Sequence, residues 1–282
     1  MKLEAIVKKY EKLAEKNKKE AESIKWLIME LSFYSPSQFY LHLKDEMTES
    51  FEKMIDEAAN KYIFEHIPVQ HILGFSYFFG YKFKVNHDVL IPRRETEELV
   101  EEVLFIYDQY FEDKDVKVLD LGTGSGCIAI TLNLEEDHMH LTATDISDLA
   151  LSVAKENNQE LGAKVDFIKS NWFDEVKGKF DIIVANPPYI PSNEQVDEIV
   201  KQEPGVALYG GDTGVEPYEI ILKHANQFLN EKGLIAFEHG YQQSAAIKAL
   251  VETYLPDAKV MQKKDMQGKD RMTLIGMGGV LS

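Results

Sequence analysis

Along residues 1–66 apolar side chains recur at helical spacing. Leu3, Ile6, Val7 and Tyr10 form one stripe, Ile24, Leu27, Ile28 and Leu31 a second, and Phe51, Met54, Ile55 and Ala58 a third. No glycine precedes Gly74, and Ser35-Pro36-Ser37 marks a break followed by a fresh helix start. The pattern predicts a small helical domain over residues 1–74. Between Gly74 and Pro92 the period changes to two: Phe75, Tyr77 and Phe79, then Tyr81, Phe83 and Val85, alternate around Gly80. That predicts a β-hairpin linker over residues 75–92. Arg93–Tyr110 then reads as a helix with acidic residues near its start.

From Val116 onward, short apolar runs alternate with helical stretches such as Leu149–Leu161. The runs are KVLDLG (117–122), LTATDI (141–146), VDFIKS (165–170), DIIVANP (181–187) and LIAFEHG (234–240). Alternation of this kind predicts a doubly wound α/β domain over residues 93–282, with a mostly parallel sheet. AKVMQKKD (258–265) and RMTLIGMG (271–278) have no helix between them. They complete seven strands as an antiparallel hairpin at a sheet edge.

Composition narrows the function classes. A chain of 282 residues with 44% hydrophobic and 11% aromatic side chains can bury a sizeable core. Its formal net charge is −17, of which −2 lies on residues 1–75. A surface that acidic repels a phosphate backbone, so no direct nucleic-acid partner is expected. The single cysteine, Cys127, excludes an intrachain disulfide and a cysteine-based zinc site. The N-terminal MKLEAIVKKYEK lacks the apolar stretch of a signal peptide, and no run approaches the length of a membrane span. A cytoplasmic protein with no membrane partner is expected.

Candidate chemistry begins at Asp120-Leu-Gly122-Thr123-Gly124-Ser125-Gly126, where the first strand of the sheet meets a helix. Glycines there let the backbone approach a ligand at the carboxyl end of the strands. The spacing is G-x-G-x-G, which lacks the third glycine of the dinucleotide fingerprint. Asp145 closes the second strand, 19 residues after Gly126, where a carboxylate can accept both ribose hydroxyls of a nucleoside. Asp120 adds negative charge beside the loop. A ligand with a ribose and a cationic centre suits this set better than a pyrophosphate, and S-adenosylmethionine has both.

Asn186-Pro187-Pro188-Tyr189 follows the apolar strand Phe180–Ala185. Two prolines cannot donate ladder hydrogen bonds, so the strand stops there and the loop is stiff. The Asn186 side-chain oxygen and the Pro187 carbonyl then form an acceptor pair for an NH2 group, and Tyr189 offers a flat face to a planar amide or base. Such a nitrogen is a weak nucleophile, its lone pair delocalised into a π-system. Two acceptors on its protons stabilise the positive charge that develops on methyl transfer, and aim the lone pair.

Together these residues are similar to the class I, Rossmann-like methyltransferases that modify planar nitrogens. Within that group the chain resembles the peptide chain release factor N5-glutamine methyltransferases, the PrmC/HemK family. The resemblance is carried by PVQHILG (68–74), FFGYKFKVNHDVLIPR (78–93), ATDIS (143–147), NPPYIP (186–191), EPGVALYGGDTG (203–214), EHG (238–240) and GKDRM (268–272). RRET (93–96) stands where the family usually has R-P-E-T, so Arg94 replaces a proline. The resemblance implies methyl transfer from S-adenosylmethionine to the glutamine of the Gly-Gly-Gln tripeptide in class 1 release factors, leaving S-adenosylhomocysteine. It implies that Asn186, Pro187, Pro188 and Tyr189 hold the glutamine, with Asn186, Pro187 and Tyr189 at the chemistry. Gly122, Thr123, Gly124, Ser125, Gly126, Asp145, Trp172 and Asn186 would line the cofactor pocket, and the helical domain would help grip the partner.

Two rivals share part of this pattern. A nucleic-acid base N-methyltransferase also uses NPPY, but needs a basic groove that the charge disfavours. A non-catalytic binding protein could retain the fold as a scaffold. Several other residues carry less chemistry. Cys127 reads as a small residue at a helix start, and His66, His71, His138 and His140 lack the carboxylate company of a metal site, so no metal is expected. Glu238-His239-Gly240 ends a strand near the site face, and Arg93 and Arg94 are either partner contacts or solvated.

Overall fold

The computed structural model describes residues 1–282. Two compact units emerge, Met1–Phe75 with Val196–Gln202, and Ser76–Gln195 with Glu203–Ser282.

The first unit holds α1 (Leu3–Lys16), α2 (Ala21–Leu31), α3 (Pro36–Leu41), α4 (Glu49–Ile63) and α5 (Val69–Leu73). Each long helix turns one apolar stripe inward, for example Leu3, Ile6, Val7, Tyr10 and Ala14 on α1 and Ile24, Leu27 and Ile28 on α2. Local chemistry sets the ends. Ser35 and Gln38 close a capping box at α3, Thr48 caps α4, and Gly74 at φ +77° ends α5 in a left-handed turn. Ile199, from the distant 196–202 segment, packs on the same core.

A two-stranded hairpin follows, β1 (Phe75–Phe78) and β2 (Tyr81–Lys84), which belongs to the second unit from Ser76 onward. The hairpin stands where the alternation placed it, but β1 buries the opposite phase. Ser76 and Phe78 face inward and Tyr77 is half exposed, because Phe78 meets Phe83 edge-on at 5.9 Å in the main core. Phe75 instead sits against Trp26. Asn157 ties the hairpin down, accepting from Lys84 N and donating to the carbonyls of Lys84 and Ser125.

The remaining elements alternate as the sequence implies. They are α6 (Arg94–Tyr110), β3 (Val116–Leu121), α7 (Cys127–Glu135), β4 (Met139–Asp145), α8 (Asp148–Leu161), β5 (Val165–Lys169) and β6 (Phe180–Ala185). Then come α9 (Gly205–Leu208), α10 (Glu216–Phe228), β7 (Leu229–Glu238), α11 (Ser244–Tyr254), β8 (Lys259–Lys264) and β9 (Asp270–Met277). Seven strands form one sheet in the order β5-β4-β3-β6-β7-β9-β8. All ladders are parallel except those of β9, which runs antiparallel to both β7 and β8. One face packs on α6 and α7 through Val100, Val103, Ile130 and Leu132, the other on α10 and α11 through Ile221, Leu222, Ile247 and Val251. Burial on both sides explains why the central strands read as continuous apolar runs. No helix is long and apolar enough to cross a membrane.

Candidate active site

Strands β4, β3 and β6 lie side by side with their carboxyl ends aligned. Leu121 pairs with Thr144 on one side and with Ala185 on the other. The glycine loop, Asp145 and Asn186 therefore emerge together where the strand order reverses, the place at which open parallel sheets bind ligands.

The glycine loop turns through left-handed conformations that favour glycine. A Cβ on Gly122 or Gly124 would meet nothing within 4 Å, whereas one on Gly126 would lie 2.7 Å from Ile130 Cδ1. The first two glycines thus leave open space beside the backbone, and the third allows the loop to press onto α7. Thr144 O accepts from the N–H groups of Gly122 and Thr123, and Asp145 Oδ2 accepts from Gly124 N at 2.9 Å. Asp145 Oδ1 accepts from Ser147 N at 2.9 Å. Both oxygens keep a lone pair, and the carboxylate is held in one orientation. Asp120 lies underneath, fully buried, where it accepts from Thr123 Oγ1 at 2.6 Å. Burial pushes its pKa up to about 7, against the opposing pull of the Thr123 hydrogen bond. Its Oδ1 has no partner.

A cavity of about 360 Å³ opens above these strand ends. Gly122, Gly124, Asp145, Trp172, Asn186 and Pro188 line it, joined by Leu90, Ile146, Val206 and Ile220. Thr123, Ser125 and Gly126 are outside the lining, with the two hydroxyl residues buried beneath the loop. Trp172 reaches the cavity from a left-handed backbone at φ +52°. Pro187 is buried behind Asn186, and Tyr189 packs partly buried against the α10–α11 core. Burial pushes the Tyr189 phenol up to about 12.

The NPPY loop is clamped by segments far away in sequence. Ile190 N donates to Leu208 O, Gly210 N donates to Ile190 O, and Gln243 Nε2 donates to both Tyr189 O and Gly214 O. Asn186 Nδ2 donates to Thr96 Oγ1 at 3.2 Å, and Thr96 Oγ1 donates to Glu238 Oε2 at 2.6 Å. Asn186 Oδ1 and the Pro187 carbonyl take no hydrogen bond from the protein. Burial raises the Glu238 carboxyl to about 7.

Thr96 and Gly210 lie in the RRET and EPGVALYGGDTG segments, but neither of these nor Gln243 carries a local sign of its partner, which lies 90, 20 and 54 residues distant respectively. Arg93 keeps 36% of its side chain exposed and pairs with buried Glu203, which also accepts from Ile91 N at 2.9 Å. Arg94 is the first residue of α6, the helical position where proline is favoured because its missing N–H is not needed. An arginine fits there without disturbing the helix. Cys127 is buried at the start of α7 with its thiol pushed up to about 12 by desolvation, as suits a packing residue. His239 bonds Thr273 Oγ1 and lies buried beneath the sheet end.

Comparison with known proteins agrees with this geometry. Residues 4–74 match the PrmC N-terminal domain, and residues 105–207 match the methyltransferase small domain. The release factor glutamine methyltransferase of Bacillus cereus is 40% identical over 243 residues, covering 84% of this chain and 86% of that protein. Its counterpart in Streptococcus pneumoniae is 36% identical over 281 residues, covering 99% of both chains. Among solved structures, a methyltransferase from Pyrococcus furiosus superposes with a TM-score of 0.54 at 20% identity, covering 83% of this chain and 100% of the other, which shows a shared fold. With a class I methyltransferase sheet, an NPPY loop at its switch point and relatives matched along nearly the whole length, the chain belongs to the release factor glutamine methyltransferase family.

Proposed function

We propose that this protein transfers a methyl group from S-adenosylmethionine to the side-chain amide nitrogen of the glutamine in the Gly-Gly-Gln tripeptide of class 1 peptide release factors. The observation that carries the reading is a pair of unpaired acceptors at the end of β6, Asn186 Oδ1 and Pro187 O: Asn186 lines a cavity shared with Gly122, Gly124 and Asp145, and Pro187, the next residue, is buried just outside that lining.

The cavity residues fit the donor. Its volume of about 360 Å³ lies within the usual range of small-ligand sites. Asp145 offers a pre-oriented carboxylate to the two ribose hydroxyls. Trp172 and Ile146 supply apolar walls for a purine, and the open sides of Gly122 and Gly124 leave room for a chain to pass the backbone. When bound, the donor supplies an electrophilic methyl group on a sulfonium centre.

The chain's own residues do the rest by position. Asn186 Oδ1 and the Pro187 carbonyl accept the two N–H protons of the acceptor amide, which fixes its plane and points the nitrogen at the methyl. As positive charge grows on nitrogen, its N–H bonds polarise and both hydrogen bonds strengthen, so the transition state gains more than the ground state. The methylated nitrogen is then strongly acidic and sheds its proton to water, and no side chain of high basicity is required. Tyr189, partly buried against the α10–α11 core and neutral, stiffens the loop behind these acceptors.

Incubation of a purified class 1 release factor with the protein and tritiated S-adenosylmethionine tests the proposal. Label is expected on the factor and not on a variant whose tripeptide glutamine is alanine. Equal labelling of both, or labelling of ribosomal RNA instead, would overturn it.

A further inference from the structure

We propose that Thr96 and Glu238 are positioning residues that set which way round the Asn186 amide sits, so that its oxygen and not its nitrogen faces the acceptor. The inference rests on the reading of the acceptor as a side-chain amide nitrogen.

A primary amide is nearly symmetric in shape, and a half-turn about its last bond exchanges oxygen and nitrogen. At this site the two orientations have opposite consequences. Oxygen toward the acceptor receives one of its N–H protons. Nitrogen toward the acceptor presents a donor to a donor, and competes for the lone pair that must attack. Nothing in Asn186 itself selects between them.

Thr96 supplies the selection. Its hydroxyl has a single proton, and that proton goes to Glu238 Oε2 at 2.6 Å. When Glu238 is ionised its carboxylate only accepts, so Thr96 Oγ1 turns lone pairs alone toward Asn186 and the selection is fullest above about pH 7. Asn186 Nδ2, at 3.2 Å, satisfies them, whereas the flipped amide would set oxygen against oxygen. Thr96 is 2% exposed and Glu238 1%, so water cannot relieve a wrong orientation. The chain of contacts joins the first turn of α6 to the ends of β6 and β7, three elements that share no local sequence.

Several groups surround Glu238. Arg271 and Arg93 favour its charged form, Glu95 opposes it, and Tyr218 donates to its backbone carbonyl. Tyr189 and Cys127 stay neutral nearby. The charged form is the one that keeps the Thr96 proton committed. A proton on Glu238 can itself be given to Thr96, which frees the threonine proton for Asn186 and removes the selection.

Thr96→Val and Thr96→Ser, made in the full chain, separate the hydroxyl from the packing. Transfer to a class 1 release factor is measured together with S-adenosylmethionine affinity by calorimetry. A misdirected reacting group costs on the order of 100-fold, so Thr96→Val should lower kcat by about 30- to 100-fold. Donor affinity should stay within about threefold of wild type, and Thr96→Ser should recover most of the loss. A Thr96→Val enzyme within about threefold of wild-type kcat, or equal losses in both variants, would overturn the assignment.

If the wild-type enzyme itself methylates no release factor glutamine, the acceptor reading fails and the positioning claim is judged separately. In nitrogen-15-labelled protein, the Asn186 NH2 signals are those missing from Asn186→Ala. They should move in Thr96→Val and stay nearly fixed in Thr96→Ser. Signals unmoved in Thr96→Val would refute the contact.

Discussion

Gly210→Ala is a perturbation whose effect can be worked from the backbone alone. Gly210 is in a conformation that alanine adopts freely, so no cost comes from φ. The added Cβ would lie 2.1 Å from the Pro188 carbonyl oxygen, 2.9 Å from Pro188 C and 3.2 Å from Tyr189 Cα. All three are backbone atoms of the NPPY loop, so no flexible side chain can yield. Restoring ordinary contact requires the loop to retreat by about 1 Å, on the scale at which a misplaced reacting group loses on the order of 100-fold in rate. Overpacking of this kind costs about 1–3 kcal/mol in stability, which a domain of this size survives. Gly210→Ala should therefore remain folded, bind S-adenosylmethionine within about tenfold of wild type and lose roughly 100-fold in kcat. Gly205→Ala is the control, since its Cβ would meet only Tyr209 Cδ2 at 3.8 Å. Single-turnover methyl transfer, calorimetry and thermal melts on the three proteins give the comparison. A Gly210→Ala enzyme with kcat within about threefold of wild type would refute the idea that the 210–214 segment holds the acceptor loop in register.

Asn186→Ala should reduce transfer by about 100- to 1000-fold, the usual loss of one transition-state acceptor or donor, while calorimetric donor affinity changes only a few-fold. Near wild-type turnover would remove the mechanism. Asp145→Ala should weaken donor binding by about 10- to 100-fold through loss of charge-assisted hydrogen bonds, and an unchanged dissociation constant would contradict the ribose assignment. Asp120 and Glu238 give the ligand-free protein a pH-dependent stability. Burial holds both carboxyls at about 7, above their ordinary range, so the folded state binds their protons more tightly than the unfolded state does. The stability each contributes is complete at low pH and is lost as pH rises through about 7, with each group worth on the order of 3 kcal/mol. Melting temperature should fall between about pH 4, where unfolded carboxyls ionise, and about pH 7, and Asp120→Asn should flatten the fall; a rise with pH across that window would count against both assignments.

Much of the fold was legible because the central strands are buried on both faces. Val118–Leu121 and Ile182–Ala185 leave almost no polar residue to blur them. The positions of Gly122, Asp145 and Asn186 followed from those strands, since each stands at a strand's carboxyl end. The phase of β1 did not follow. Phe75, Tyr77, Phe78 and Phe79 are all aromatic, so alternation cannot say which face is buried, and Phe78 took the inner side through its contact with Phe83. Thr96 stood in the RRET segment with no role of its own, although its hydroxyl lies between Asn186 and Glu238. Gln243 and Gly210 were equally silent, because a clamp on a loop is a property of the folded chain and has no sequence period. The place of residues 196–202 with the helical unit has the same origin: Ile199 answers to a core more than 120 residues upstream.

In the proposed reaction the NPPY loop presents an amide nitrogen of a release factor to the methyl donor. Intact-mass spectrometry of a class 1 release factor, after incubation with this protein and S-adenosylmethionine, tests it most directly. A gain of one methyl group is expected, placed by fragmentation on the side-chain nitrogen of the Gly-Gly-Gln glutamine, and absent when Asn186→Ala replaces the wild-type enzyme. No gain in mass from a wild-type enzyme that binds the donor, or a methyl group placed on any other residue, would contradict it.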